Sequence, residues 1–132
     1  MTIITKGANI YLADTHAPIR YSGISGAALD AGAPCYLNSD GRIYMSGSAL
    51  VDDTGHPNFV GFTVQSVSAS APCTLFGLGS RIHIAESGLT IGARVWSGSV
   101  VGTIQDAKGA TNDVPYAKVV SATDILVVRG PY

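Results

Sequence analysis

Three histidines (His16, His56, His83) and two cysteines (Cys35, Cys73) are the side chains of this sequence best suited to metal binding or nucleophilic chemistry. Such sites announce themselves through short fixed spacings, because ligands a few residues apart already share a face or a turn. No C-x-x-C, H-x-x-x-H or H-E-x-x-H spacing occurs, and each histidine lies in a different segment. Asp52-Asp53 with His56 falls short of the four or more oxygens at defined positions that a calcium loop requires. Gly77-Leu78-Gly79-Ser80 has the glycines of a phosphate cradle, yet a strand-like run follows it, with no helix N-terminus or lysine to hold an anion. A hairpin turn is the better reading. G-x-S-x-G is absent. The residues therefore predict no enzyme, no cofactor and no metal.

The elements that would position these residues follow an internal repeat. Leu29-Asp-Ala-Gly-Ala-Pro-Cys-Tyr-Leu37 returns as Val67-Ser-Ala-Ser-Ala-Pro-Cys-Thr-Leu75, and more loosely as Leu89-Thr-Ile-Gly-Ala-Arg-Val-Trp96. Each copy reads as a small-residue turn and a short strand, then a Gly-containing turn and a second strand. The expected hairpins are 34–37 with 42–46, 73–76 with 81–85, and 94–97 with 100–104. Phe59–Gln65 alternates as a single strand, and 115–121 with 125–129 supplies two more. In the second hairpin Arg81 and His83 alternate with Ile82 and Ile84, which predicts a solvent-facing His83. Val, Ile and Thr make up 33 residues against six Lys, Glu and Gln, a balance that favours strands over helices. The expected fold is all-β, a small barrel or sandwich built from repeated hairpins.

The 132 residues suit one domain, and the cysteines, equivalent in the repeat, read as buried free thiols. Met1 to Lys6 lacks a basic region followed by an apolar one, so no secretory signal is expected, and a reducing compartment disfavours a disulfide. No apolar run is long enough to predict a membrane helix. The net charge is −1 and the eight Lys and Arg are scattered along the sequence, which argues against nucleic-acid binding. Only 13% of residues are charged while 46% are hydrophobic, so exposed apolar surface and a protein partner are expected.

Four segments in order, ALDAGAPCYLNSDGRIYM (28–45), FVGFTVQSVSASAPCTL (59–75), SGLTIGARVW (87–96) and AKVVSATDILVV (117–128), resemble the capsid cement, or decoration, proteins of tailed bacteriophages. The resemblance spans about residues 23 to 129. Cys35 and Cys73 stand where the family prefers Val, and Ala117-Lys118 replaces a usual Gly. What it implies is a structural protein, made in the host cytoplasm and carried on the outer surface of the virion capsid. Its partners would be the major capsid protein and itself, as a homotrimer. Residues 1–22 match nothing in that pattern and divide from a domain at 23–132 expected to fold alone. This arm is expected to bind the capsid or a neighbouring protomer through Ile3, Ile4, Lys6, Ile10, Tyr11 and Leu12, with Trp96 as a further interface anchor. The alternative reading is a carbohydrate- or receptor-binding β-module of a phage fibre or cell surface, for which Trp96 would be the stacking platform.

Overall fold

The computed structural model describes residues 3–13, 20–47, 59–106 and 115–128. Among these residues the chain forms short strands and no helix. In order they are β1 (Tyr11–Leu12), β2 (Arg20–Ile24), β3 (Pro34–Leu37), β4 (Ile43–Met45), β5 (Gly61–Phe62) and β6 (Pro72–Phe76), then β7 (Arg81–His83), β8 (Arg94–Ser97), β9 (Ile104–Gln105), β10 (Ala117–Val119) and β11 (Asp124–Val127). They make two antiparallel sheets, one ordered β1-β7-β11-β10-β8-β9 and the other β2-β6-β5-β3-β4. The all-β fold is as expected. Of the two architectures foreseen the packing is sandwich-like, and neither sheet closes through a continuous ladder.

The turn before each repeat strand has one backbone requirement. Gly32, Ser70 and Gly92 occupy the same place in the three copies, and all have positive φ, at 70°, 61° and 90°. That left-handed conformation reverses the chain before a strand, and it is costly for any residue with a Cβ. The repeat is thus a backbone device as much as a side-chain pattern. Its first two copies also pair with each other: Leu29 and Val67 exchange backbone hydrogen bonds of 2.8 and 2.9 Å.

Three of the expected hairpins form: β3 with β4, β8 with β9, and β10 with β11. In the third repeat the second strand is only β9, and residues 98–103 are its loop rather than strand. The hairpin expected at 73–85 does not form. β6 pairs with β2 and β5, whereas β7 pairs with β1 and β11, so the Gly77–Ser80 turn carries the chain from one sheet to the other. Alternation fixes which side chains face inward but not which strand lies alongside. Phe59–Gln65 is likewise mostly not strand. Only Gly61–Phe62 joins a ladder, where a Cβ on Gly61 would stand 2.8 Å from the Phe76 carbonyl oxygen. Thr63 instead ties the repeat turn: its Oγ1 donates to the Asp30 carbonyl at 2.8 Å, and its backbone N–H donates to Ala33 O at 3.0 Å.

Two hydrophobic cores result. Leu29, Ala33, Cys35, Ile43, Cys73 and Leu75 fill the five-stranded sheet. Ile82, Ile84, Val95, Ile104, Val119, Ile125 and Val127 line the inner face of the six-stranded one. Phe59 and Phe62 reach into the second core, edge to face with each other, and Phe59 stacks on buried Tyr116 with ring centroids 4.2 Å apart.

The N-terminal segment is built into this frame. Ile3 bridges Gln105 and the Ile4 N–H donates to Ile104 O at 2.9 Å, which places the chain against β9 at one edge of the six-stranded sheet. The Gly7 N–H then donates to Ile84 O, Tyr11 and Leu12 pair with His83 and Ile82, and the Ala13 N–H reaches Arg81 O, all at the opposite edge. The segment spans from one edge to the other like a strap. The boundary expected between residues 22 and 23 falls inside β2, whose five residues pair with β6. Deleting residues 1–22 would remove a core isoleucine, β1 and part of β2. We expect that deletion to abolish cooperative folding, read by circular dichroism and urea denaturation; a truncated protein with a native unfolding transition would contradict this account of the strap.

The turn geometry yields a graded test. A Cβ at Gly92 meets open space, so Gly92→Ala should cost only the backbone term, about 1 kcal/mol. At Gly32 the same Cβ would lie 2.5 Å from Ile84 Cδ1 in the packed core, and Gly32→Ala should cost about 3 kcal/mol. Ser70→Gly removes the strain and should gain about 0.5 kcal/mol. Urea unfolding of the three variants should give that order.

Candidate functional site

The densest polar cluster centres on Asp124, the first residue of β11, which is 8% exposed. Its Oδ2 accepts from Arg81 Nε at 2.8 Å, and its Oδ1 accepts from Thr123 Oγ1 at 2.9 Å and lies 3.2 Å from His83 Nδ1. A carboxylate only accepts, so His83 Nδ1 carries the proton in this contact. Ser121 Oγ accepts from the N–H groups of Thr123 and Asp124, closing the β10–β11 turn beneath them. Tyr11 of β1 stacks on the His83 ring, centroids 4.5 Å apart and planes 9° from parallel. The register β1–β7–β11 puts Tyr11, His83 and Asp124 side by side on the outer face.

This cluster has an acid, an imidazole and two hydroxyls, the ingredients of a nucleophilic triad. The arrangement does not use them so. Ser121 and Thr123 place their hydrogen bonds on the turn and on Asp124 rather than on the imidazole, while Tyr11 covers one face of the His83 ring. What the geometry does chemically is hold three strands together. Burial raises the Asp124 pKa, but the hydrogen bonds from Arg81 and Thr123 and the Arg81 charge outweigh it and hold the carboxyl below its ordinary range. The solvent-facing His83 expected from alternation is thus corrected: its side chain is 16% exposed and doubly engaged. His16, His56 and Asp52-Asp53 lie outside the described residues.

Lys6 is turned inward. Its Nζ donates to the carbonyls of Ala31 at 3.0 Å and Gly102 at 2.9 Å, so it clamps the strap to the first repeat turn and to the β8–β9 loop. Burial lowers its pKa, and nearby Asp30 opposes that shift. Of the other arm residues, Ile4 is buried in the larger core, and Ile10 and Leu12 pack against it half-buried. Ile3 and Tyr11 remain exposed. The domain itself therefore uses Ile4, Lys6, Ile10 and Leu12, leaving Ile3 and Tyr11 to face outward. Trp96 sits half-buried on β8 opposite Gln105, with its indole N–H enclosed and without a hydrogen-bond partner among the described residues.

Cys35 and Cys73 are free, buried and in one cluster, as expected from the repeat. Burial pushes both thiols up, and for Cys35 the neighbouring Cys73 adds to the effect. Neither is a ready thiolate nucleophile at neutral pH. A surface hollow of about 420 Å³ is lined by neutral side chains including Ser22, Gln65, Cys73, Thr74 and Phe76. Sequence reasoning missed Asp124, which it read as a connection. Its only signal was the outward alternation with Leu126, and no pattern could name Arg81 and His83 as its partners. No protein-family model matches the chain, and no curated protein matches it in sequence.

Asp124 sets an acid limit on stability. A carboxyl whose folded pKa lies below its unfolded value of about 3.9 stabilises the fold at higher pH, and that contribution is lost as pH falls through the folded value. Stability should therefore fall below about pH 4, and Asp124→Ala should cost about 2 kcal/mol at neutral pH and flatten the acid limb. Urea midpoints between acidic and neutral pH measure both; an unchanged acid limb in the variant would remove Asp124 from this role.

Proposed function

We propose that this protein is a non-catalytic capsid decoration protein that binds the outside of a tailed-phage head and clamps neighbouring major capsid subunits. The observation that carries this reading is the ordered set of four segments that resembles such proteins. The common left-handed position of Gly32, Ser70 and Gly92 supports treating the first three as true repeats of one unit.

The surface is suited to permanent contacts. Val100 is 63% exposed and Val101 45% exposed at the tip of the β8–β9 hairpin, and Leu78 and Val128 stand exposed beside the ends of β7 and β11. Leu78 and Val128 share one end of the six-stranded sheet, where Gly79 N–H donates to Val127 O and Val128 N–H donates to Tyr116 O, and β8 runs toward that end before its loop turns beside Gly47. Aliphatic side chains collected at one end give a contact zone that gains by burial. Repetition over several capsid joints then adds avidity without a strong single contact. Self-association as a trimer would multiply the same zone three-fold. The exposed Ile3 and Tyr11 of the strap remain available to a neighbour at the sheet edge.

Co-sedimentation with DNA-filled heads tests the reading. The expected result is a fixed copy number per head, with trimers by light scattering of the isolated protein or by copy counting on heads. Val100→Asp/Val101→Asp should reduce occupancy by about ten-fold, since it removes two exposed aliphatic contacts and buries charge. Absence from heads would refute the reading, and a monomer both in solution and on heads would refute the trimer.

A further inference from the structure

Three basic side chains far apart in sequence share one cross-strand row. Arg81 of β7 is the register partner of Leu126 on β11, Leu126 is the partner of Lys118 on β10, and Lys118 is the partner of Arg94 on β8. All point outward from the six-stranded sheet. Arg81, Lys118 and Arg94 are exposed, while the adjoining Ile82, Ala117, Val119 and Val95 are buried. Lys118 and Arg94 are directly opposite each other, where Cβ atoms stand about 5 Å apart and like charges destabilise the pair. Among the described residues neither has a hydrogen-bond or ion-pair partner, whereas Arg81 is held by Asp124. Three of the eight Lys and Arg thus converge on one face, with Trp96 beside Arg94 on β8 and the Tyr11–His83 stack at the other edge.

We propose that this outer face is a docking surface for a carboxylate-bearing segment of a partner protein. Two cations placed opposite each other, with no partner among the described residues, cost stability unless an anion sits between them, so the row suits an anionic visitor. Arginine and large aromatics are the side chains that anchor protein interfaces, and both kinds flank this row. Charge complementarity calls for an anion, and the small number of cations favours a carboxylate-bearing peptide over nucleic acid. Nucleic acid is held by neutralising several phosphates at once, whereas here two cations lack a partner among the described residues and the third is already shared with Asp124. The chain as a whole is slightly acidic, at −1, so the row is a local feature and not a general affinity for polyanions. The surface stands on the register alone and does not require that the partner be a capsid subunit.

Trp96 is the single tryptophan, so its emission reports binding on this face without a label. Full-length protein titrated with an oligoglutamate peptide should show a saturable change in that emission, weakened by added salt. Arg94→Gln/Lys118→Gln should weaken binding about five-fold, while Arg42→Gln, which removes one positive charge beside β4 of the other sheet, should leave it unaltered. Lys118→Glu gives a second readout: it pairs Arg94, and should raise the melting temperature by about 2 °C while abolishing peptide binding. Failure of the wild-type protein to bind oligoglutamate would overturn the proposal, as would equal binding by the double variant. Tighter binding of an oligothymidylate, lost in the same double variant, would overturn it in favour of a nucleic-acid partner.

Discussion

A sheet edge exposes unpaired N–H and C=O groups, and in a small domain with short strands there are few residues to cover them. This protein meets that constraint with its own N-terminal segment. Residues 3 and 4 lie against β9 while residues 7 to 13 lie against β7, so one strap supplies partners to both edges of the six-stranded sheet. The five-stranded sheet is treated with similar economy: Ser25, just beyond β2, makes a parallel bridge to Ile43 of β4, and the Gly26 N–H donates to the same residue at 2.9 Å. In each sheet the two edges are drawn together by a single bridge rather than a full ladder.

The strap stays in place because its side chains reach into the domain. Ile4 enters the core, and the Lys6 ammonium holds carbonyls from two other loops. Tyr11 lies on His83, which in turn lies on Asp124. Backbone pairing over two residues is weak by itself, and the hydrophobic anchor at one end with the Asp124 network at the other makes it durable. The buried carboxylate acts here as an assembly point. Arg81, Thr123 and His83 converge on it from β7 and the β10–β11 turn, so both carboxylate oxygens have partners.

Among the described residues, Lys6, His83, Asp124 and both cysteines are occupied with structure, while the exposed surface includes aliphatic hairpin tips and a basic row. The two differ in physical character as proposed contact surfaces. The tips gain by burial and favour long-lived contact, while the row acts at longer range and weakens with salt. Under the proposed role on a phage head, the row would act during approach and the tips would hold the contact once made.

The amino-acid sequence by itself determined the composition of this fold. β-Branched residues with few long polar ones dictated strands, the small-residue turns dictated where several of them start, and the repeat placed Cys35 and Cys73 in equivalent buried positions. These properties are local, since strand propensity, turn chemistry and alternation act within a few residues. Which strands became neighbours was decided only by tertiary structure. β6 and β7 look like a hairpin because each alternates correctly, yet alternation is satisfied by any partner that buries the same face, and the packing of Leu75 into one core and Ile82 into the other separates them. The strap was illegible for the same reason: short apolar runs at Ile3-Ile4 and Ile10–Leu12 suit a partner subunit or a home sheet equally well. So was the row of Arg81, Lys118 and Arg94, whose charges are scattered along the sequence and meet only because β8, β10, β11 and β7 lie side by side. Register is a non-local quantity, fixed by the sum of core contacts, and it turned dispersed charge into a surface.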